Sequence, residues 1–180
     1  MINPIALIIG WLADLLFGDP ARLPHPIVWF GRMISFGEKR LNHGKHRKLK
    51  GAIMAIGLIL FVFAVAWAIR KSCLMFHVSC LMLFDAVVVF YCLAGTTLIK
   101  EVRAVFVALD RSLEEGRAQV ARIVGRDTSE LSAQEVRKAA LETLAENLSD
   151  GVIAPLFWLM LLGTPCMLAY KMVNTLDSMI

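Results

Sequence analysis

Apolar stretches alternate with charged ones along this chain, and their lengths predict membrane helices. Residues 51–69 form nineteen consecutive positions without a charged side chain. That length is close to the roughly 20 residues that cross a bilayer core of about 30 Å. Residues 2–17 are apolar except for Asn3 and Asp14, so they predict either a short span or a half-buried helix. The clearest transmembrane helix is therefore expected at 51–69.

The next apolar stretch, 72–99, is longer than one span requires and contains the acid Asp85. Arg70 and Lys71 separate this stretch from residues 51–69. The excess length predicts either a tilted helix or a first third that lies at the membrane surface. Asp85 is either a paired intramembrane group, and so a functional candidate, or the mark of a break between two shorter helices.

Residues 100–150 show a different pattern, in which charges alternate with apolar positions. The region contains eight Lys or Arg and ten Asp or Glu residues. The apolar spacing predicts an amphipathic helix over about 100–124, which Gly125 ends. A second helix opens with the capping box at 132–135 and extends to about Leu148. The pattern thus predicts a charged, helical loop.

The ends of the chain add two further elements. Residues 27–39 have the spacing of a short amphipathic helix at the interface, followed by a basic loop at 39–50. The last apolar stretch, 152–170, is divided by Gly163-Thr-Pro165. It forms either one kinked span or a re-entrant hairpin, whose irregular backbone must be covered by protein or water. We favour the hairpin, because it returns residues 171–177 to the side of Asp150.

Composition and charge place the chain among integral membrane proteins. Its 180 residues are 58% hydrophobic, against about 45–50% for soluble domains. Residues 18–50 and 100–150 each carry eight Lys or Arg residues, and the two intervening spans put both regions on one side. The positive-inside rule makes that side cytoplasmic. We expect an all-α, polytopic membrane protein of the cell membrane, with a single domain at 1–180, three to five membrane segments and a charged helical cytoplasmic loop at 100–150.

Two function classes are disfavoured by the same composition. The basic residues form no stripe with interleaved aromatics, so a nucleic-acid partner is not expected. The four cysteines all lie in apolar runs and form no Cys-x-x-Cys pair. They are predicted to be small buried side chains, since neither a disulfide framework nor a metal site has that pattern.

An acidic row on the second helix of the charged loop is the first candidate for chemistry. Glu142 and Glu146 are four residues apart, and Asp150 continues the row. Like charges at this spacing destabilise a helix by a few tenths of a kcal/mol per pair, and the helix dipole disfavours acids near the C-terminus. A cation would remove that cost: an ammonium, an Arg or Mg²⁺. The alternative is a solvated acidic face with Arg126 and Arg137 as partners.

Three more polar sets are candidates for chemistry. They are Asp14, Asp19 and His25; Arg126, Asp127 and Thr128; and Lys171, Asn174, Thr175, Asp177 and Ser178. For each of the first two sets a structural interpretation is open: Asp19 as a turn residue, His25 as a loop histidine in extended backbone, and Asp127 as a cap of Ser129. The third set is too dense in polar groups to be explained as packing.

Four motifs in order along the chain give a resemblance to a known family. They are Gly18-Asp-Pro20 with Pro24-His-Pro26, then residues 124–128, then 145–151 with 154–157, then 170–179. With them the chain resembles the adenosylcobinamide-phosphate synthase family, a membrane protein family of cobalamin (vitamin B12) biosynthesis. Members of the family are longer, so this sequence resembles an N-terminal portion of one.

The resemblance implies a reaction and its participants. It implies that an amide bond joins aminopropanol, or its phosphate, to a propionate carboxyl of (adenosyl)cobyric acid, in an ATP-dependent ligase reaction with Mg²⁺. The expected partners are the corrinoid, the aminopropanol compound, the lipid bilayer and other corrin-pathway enzymes. With this reaction in mind, three sets of roles are expected: Asp19, His25, Lys171 and Asp177 in catalysis; Arg126, Asp127, Asn147 and Asn174 in substrate or phosphate binding; and Glu142, Glu146 and Asp150 as metal ligands.

Competing interpretations remain open. A membrane CDP-alcohol phosphotransferase also uses Asp-Gly on acidic helices, but it needs a further Asp pair downstream on one helix. After Asp150 the next acid is Asp177, which argues against that class. A non-catalytic corrinoid-binding or assembly partner predicts binding without turnover, and an inactive fragment predicts neither.

Overall fold

The computed structural model describes residues 3–18 and 25–180, and all the regular structure in those residues is helical. The elements in chain order are α1 (Pro4–Phe17), α2 (Pro26–Leu41), α3 (Arg47–Phe76), α4 (Val78–Cys92), α5 (Gly95–Arg111), α6 (Leu113–Val120), α7 (Ala133–Leu148), a π-helical turn (Ser149–Ile153), α8 (Ala154–Leu162) and α9 (Thr164–Met179). The prediction of an all-α protein is confirmed.

Three segments among the described residues are long and apolar enough to cross a membrane: Arg47–Phe76, Val78–Arg111 and Ala133–Leu162. The first is α3, which contains the span predicted at 51–69. Only 11% of its most apolar window is buried inside the protein, so most of this helix is free to face lipid. Helix α1 is a shorter apolar helix. The prediction of a polytopic membrane protein is therefore confirmed.

The helix boundaries differ from the predicted ones in the region 70–124. Helix α3 continues through the Arg70–Lys71 pair, which was expected to interrupt it, and ends at Phe76. The stretch 72–99 is consequently not one tilted span, since the chain breaks at His77 and again at Leu93–Ala94. The expected helix over 100–124 is also two helices, because Ser112 caps the start of α6 by accepting from Glu115 N–H at 3.1 Å.

Helix α7 begins with the predicted capping box, in which the side chains of Ser132 and Glu135 bond each other's backbone N–H. At its other end the chain stays helical, because the π-helical turn joins α7 directly to α8. Pro155, near the start of α8, has no N–H to give to the carbonyl of Gly151 four residues earlier. That carbonyl instead accepts from the backbone N–H of Ala94, at 3.3 Å.

Helices α8 and α9 form a hairpin. Gly163, with φ of +85°, ends α8 in a left-handed conformation that favours glycine. The two helices then pack along each other, and the Asn174 side-chain amide donates to Asp150 Oδ2 at 3.3 Å. Asp150 and Asn174 lie at similar distances along the chain on either side of Gly163, which is the geometry of a hairpin. The single kinked span is excluded.

Two buried aspartates hold the starts of helices that begin inside the bundle. Asp85 on α4 accepts from Thr164 Oγ1, at the start of α9, at 2.7 Å, and pairs with Arg70 Nε at 3.2 Å. Asp14 on α1 accepts from Thr96 N–H and Thr96 Oγ1, at the start of α5, both at 3.3 Å. The paired interpretation of Asp85 is thus confirmed. A buried carboxylate is tolerated only with such partners.

Helix α9 is the element around which the apolar core is built. On one side Met172 and Leu176 pack against α2 and α3 through Ile34 and Val62. On another side Met167 packs into a cluster with α4 and α8. A third cluster joins α5, α6 and α7 and underlies the charged region. Because α9 is fixed by neighbours on several sides, the polar residues of its last turns have defined positions.

Candidate active site

An open cleft of about 760 Å³ lies between α7, the π-helical turn, the end of α9 and residues 123–126. We call it the acidic cleft. Its polar lining consists of Arg126, Glu142, Thr143, Glu146, Asn147, Asp150, Asn174, Asp177 and Ser178. Four carboxylates against one guanidinium give it a negative electrostatic potential. Residues from two separate predicted sets, the acidic row and the end of α9, therefore share one cavity.

A second cavity of about 370 Å³, which we call the inner cavity, adjoins the acidic cleft. Asn147, Asp150 and Asn174 line both cavities, as do Ile123 and Thr143, and these residues form the boundary between them. The inner cavity adds Lys171, which is only 4% exposed, and Glu101 from α5. One carboxylate, Asp150, thus faces both an acidic space and a space that contains a buried ammonium group.

Helical periodicity explains why these residues converge. Glu142 and Glu146 are one turn apart on α7, and the π-helical turn carries Asp150 onward on the same side. On α9, Lys171 and Asn174 are three residues apart and line the inner cavity together with Asp150 of the π-helical turn. The π-helical turn is also the kind of helix irregularity that is often found at functional sites.

Glu142 is the member of the acidic row that has cationic partners among the described residues. Arg126 contacts it at 3.0 Å and Lys138 at 3.8 Å. Both pairs are about half exposed or more, so each contributes no more than about 1 kcal/mol. Part of the solvated-face interpretation is therefore correct, with Lys138 in the place expected for Arg137. Glu146 and Asp150 remain the better candidates for binding a cation.

The described residues contain no group of three His, Cys, Asp or Glu side chains placed to hold a metal ion. A protein-only site made by Glu142, Glu146 and Asp150 is therefore not assembled. Mg²⁺ is usually bound by one or two carboxylates together with substrate phosphates. The carboxylates of the acidic cleft fit that second arrangement, so metal binding by this row stays a prediction in that form.

Two predicted site residues, Asp127 and His25, lie outside the two cavities. Asp127 does not line the cleft. It accepts from Ser129 N–H at 3.0 Å, and this hydrogen bond, with that of the Ser129 hydroxyl, lowers the pKa of the Asp127 carboxyl. Its interpretation as a turn cap is confirmed. His25 caps α2 by accepting from Ile27 N–H at 3.2 Å, and its ring packs edge-on against Tyr91. It lines neither cavity, and Asp19 is outside the described residues.

A known protein family matches the chain over all the residues that line these two cavities. The profile of the family described as CobD/Cbib protein matches residues 7–180. The chain belongs to the CobD/CbiB family. It is 39% identical to cobalamin biosynthesis protein CobD of Citrobacter koseri and 38% identical to CobD of Klebsiella pneumoniae and to CbiB of Salmonella arizonae. Each alignment covers 98% of this chain.

The chain spans 57% of the length of these CobD/CbiB relatives. No solved structure matches it. All the residues that line the acidic cleft lie within the part of the relatives' length that this chain matches. The family resemblance expected from the four motifs is confirmed by both the profile and the relatives.

For two residues the sequence reasoning missed the position or the contact. Glu101 lines the inner cavity. The sequence feature that could have indicated it is an acidic residue next to the apolar positions Leu98 and Val102, on a helix that starts after a break. Asp14 was noted as polar, but not as the partner of Thr96. That contact joins residues 82 positions apart, and no local pattern indicates such a pair.

Proposed function

We propose that the acidic cleft and the inner cavity belong to the site at which this protein joins an amine to a carboxyl group of a corrinoid. The reaction expected from the resemblance is the attachment of aminopropanol, or its phosphate, to a propionate of (adenosyl)cobyric acid. The observation that carries the proposal is the CobD/CbiB match over residues 7–180. The relatives are named cobalamin biosynthesis proteins, and the cleft contains groups that suit the chemistry.

Amide formation makes two demands on the site. A carboxylate is a poor electrophile, so its oxygen must first be converted into a leaving group, which in an ATP-dependent ligase is a phosphate. The attacking amine must give up a proton, because an ammonium group has no lone pair. The first demand needs cations near phosphate oxygens, and the second needs a base near the amine.

The two cavities supply groups for both demands. Lys171 in the inner cavity and Arg126 in the acidic cleft are the cations proposed to bind phosphate oxygens. Glu146 and Asp150 are proposed to hold Mg²⁺, whose charge would neutralise part of a phosphate. The amides of Asn147 and Asn174 lie between these groups and are proposed to orient the substrate.

Asp177 is the proposed proton acceptor. It lies in the acidic cleft with Glu146 and Asp150, where the negative potential attracts an alkylammonium group. His25 and Asp19 were expected to share this role. His25 lines neither cavity, so we assign it no contact with the substrate.

We further propose that the substrates enter from the cytoplasmic face of the cell membrane. Arg47 and Lys48 line one groove with Leu176 and Ile180, and Arg126 lines the acidic cleft with Asp177 and Ser178. Basic residues from both regions thus lie near the C-terminal end of α9. The positive-inside rule places that end in the cytoplasm, where enzymes of the same pathway would deliver the corrinoid.

The test uses the protein at its full natural length, purified in lipid, with cobyric acid, aminopropanol or its phosphate, ATP and Mg²⁺. Asp150→Asn and Glu146→Gln are each expected to reduce corrinoid conversion by roughly 100-fold, a typical loss for a group that stabilises charge in the transition state. Glu130→Gln, an exposed acid outside both cavities, is the matched control and should keep full turnover.

Two outcomes would contradict the proposal. Normal turnover in both cleft variants would remove the metal and charge roles of the acidic row. Corrinoid binding by the wild-type protein without product, measured by titration beside the product assay, would instead identify a non-catalytic binding or assembly protein.

A further inference from the structure

Two helix breaks meet beside Asp150, and one buried aspartate holds them together. The first break is Leu93–Ala94, between α4 and α5, and the second is the π-helical turn between α7 and α8. Ala94 N–H donates to the carbonyl of Gly151, the residue directly after Asp150. Thr96, two residues beyond Ala94, donates its N–H and its hydroxyl to Asp14 Oδ2. A chain of hydrogen bonds thus connects α1 to the π-helical turn.

The backbone at the start of α5 packs closely against α1 on one side and against the π-helical turn on the other. A Cβ at Gly95 would lie 3.4 Å from Asp14 Oδ2 and 3.7 Å from a methyl group of Val152. The backbone of residue 95 is therefore held between α1 and the π-helical turn. A Cβ at Gly151 would likewise lie 3.6 Å from Cβ of Ala94. In such packing a displacement of the α5 start is transmitted to the turn that carries Asp150.

We propose that Asp14 is a positioning residue for Asp150, acting through Thr96, Ala94 and Gly151. Asp14 is 3% exposed and lines neither cavity, so it has no path to the substrate. The Asp14 carboxylate fixes the first turn of α5 by accepting from Thr96. The helix dipole stabilises a negative charge at the N-terminus of a helix. The first turn in turn fixes the Gly151 carbonyl, which accepts from Ala94 N–H and cannot accept from Pro155, because proline has no N–H.

The role of Asp14 in turnover rests on the proposed function, whereas the hydrogen-bonded connection does not. Two measurements therefore separate them. The first is hydrogen exchange at residue resolution on the wild-type protein and on Asp14→Ala in lipid nanodiscs. Ala94 and Thr96 amides are expected to be protected in the wild type and to exchange at least tenfold faster in Asp14→Ala, since Thr96 N–H loses its acceptor and Ala94 N–H is no longer held against the Gly151 carbonyl.

The second measurement is the kinetics of the full-length protein. Asp14→Ala should lower kcat by about 10- to 100-fold, because a displacement near 1 Å at a reacting group has that effect, and should leave KM within about threefold if substrate binding relies on other groups. Asp14→Asn keeps a side-chain oxygen acceptor at the same place and should recover part of kcat. Thr96→Val, which removes only the hydroxyl donor, is the milder variant if Asp14→Ala fails to fold.

The matched control is Asp85→Ala. Asp85 is also a buried aspartate that holds the start of a helix, but at the far end of the α8–α9 hairpin. The Asp85→Ala substitution should destabilise the protein and leave kcat per folded molecule unchanged. The inference is overturned if Ala94 and Thr96 exchange freely in the wild type, or if Asp14→Ala and Asp85→Ala lower kcat equally. A wild-type protein without turnover would refute the proposed function alone, and the exchange data would still decide the connection.

Discussion

Replacing Gly10 with alanine tests how closely α1 must approach α4. A Cβ at residue 10 would lie 2.7 Å from the carbonyl oxygen of Ala86 and 2.7 Å from both Cβ and Cγ1 of Val89. Ordinary van der Waals contact begins near 3.4 Å, so about 0.7 Å of space is missing. The opposing oxygen is backbone and cannot rotate away. Helix α1 must therefore move as a body.

The loss in the free energy of unfolding that we expect for Gly10→Ala has two parts. Overpacking of this kind costs about 1–3 kcal/mol. Asp14 lies one helical turn beyond Gly10 on the same face, so the movement also weakens its two hydrogen bonds to Thr96, together worth about 1–2 kcal/mol. The expected loss is about 2–4 kcal/mol in the free energy of unfolding. For a chain of this length that corresponds to a fall in Tm of about 4–16 °C.

Thermal unfolding in nanodiscs of fixed lipid composition measures the effect. Gly57→Ala is the control, because Gly57 is also inside a helix but a Cβ there meets nothing within 4 Å. Alanine has the higher helix propensity, so this variant should be as stable as the wild type or more stable, by up to about 1 kcal/mol. If Gly10→Ala unfolds at the same temperature as Gly57→Ala, then α1 does not pack this closely on α4.

Three further predictions concern elements outside the cleft. Asp85→Ala leaves Arg70 without its acid and should lower the free energy of unfolding by about 3–5 kcal/mol in the same thermal assay; a wild-type Tm would show that the pair does not form. Ser132→Ala removes one half of the capping box and should cost about 1 kcal/mol, so an unchanged Tm together with unchanged helix content would contradict the cap. Cys73 and Cys80 are free cysteines on either side of the break between α3 and α4, and Cys80 is exposed rather than buried as expected, so a disulfide oxidant should link them and block maleimide labelling of both. Serine at either position should prevent the link, and a wild-type protein that stays fully labelled would show that the turn is more open.

The parts of the fold that the sequence predicted are those set by local chemistry. The apolar run at 51–69 leaves no alternative to a membrane helix, and the capping box at 132–135 specifies a helix start by itself. The hairpin at Gly163 followed from a breaker within an apolar stretch together with polar residues at both ends. In each case the deciding groups are neighbours in sequence.

The parts that the sequence did not predict depend on contacts between distant segments. Helix α3 passes Arg70 without a break because Asp85, fifteen residues later, neutralises its charge. The π-helical turn is maintained by a donor from Ala94, and nothing local indicates it. Residues of the acidic cleft were predicted on α7 and α9 because they are dense in polar groups. Asp127 was misplaced because a turn cap and a phosphate ligand use the same kinds of residue.

The two buried aspartates also bear on how the chain is made. Asp14 precedes Thr96 by 82 residues, and Asp85 precedes Thr164 by 79. At the usual synthesis rates of about 5–20 residues per second, each carboxyl waits roughly 4–16 s for the hydroxyl that will bond it. A charged acid is unfavourable in a bilayer by about 2.5–3.5 kcal/mol, so during this interval the insertion machinery, a proton or water must shield it. Arg70 is already made when Asp85 emerges, whereas Asp14 has no comparable earlier partner among the described residues. Correct insertion of α1 therefore depends most on segments that the ribosome makes several seconds later.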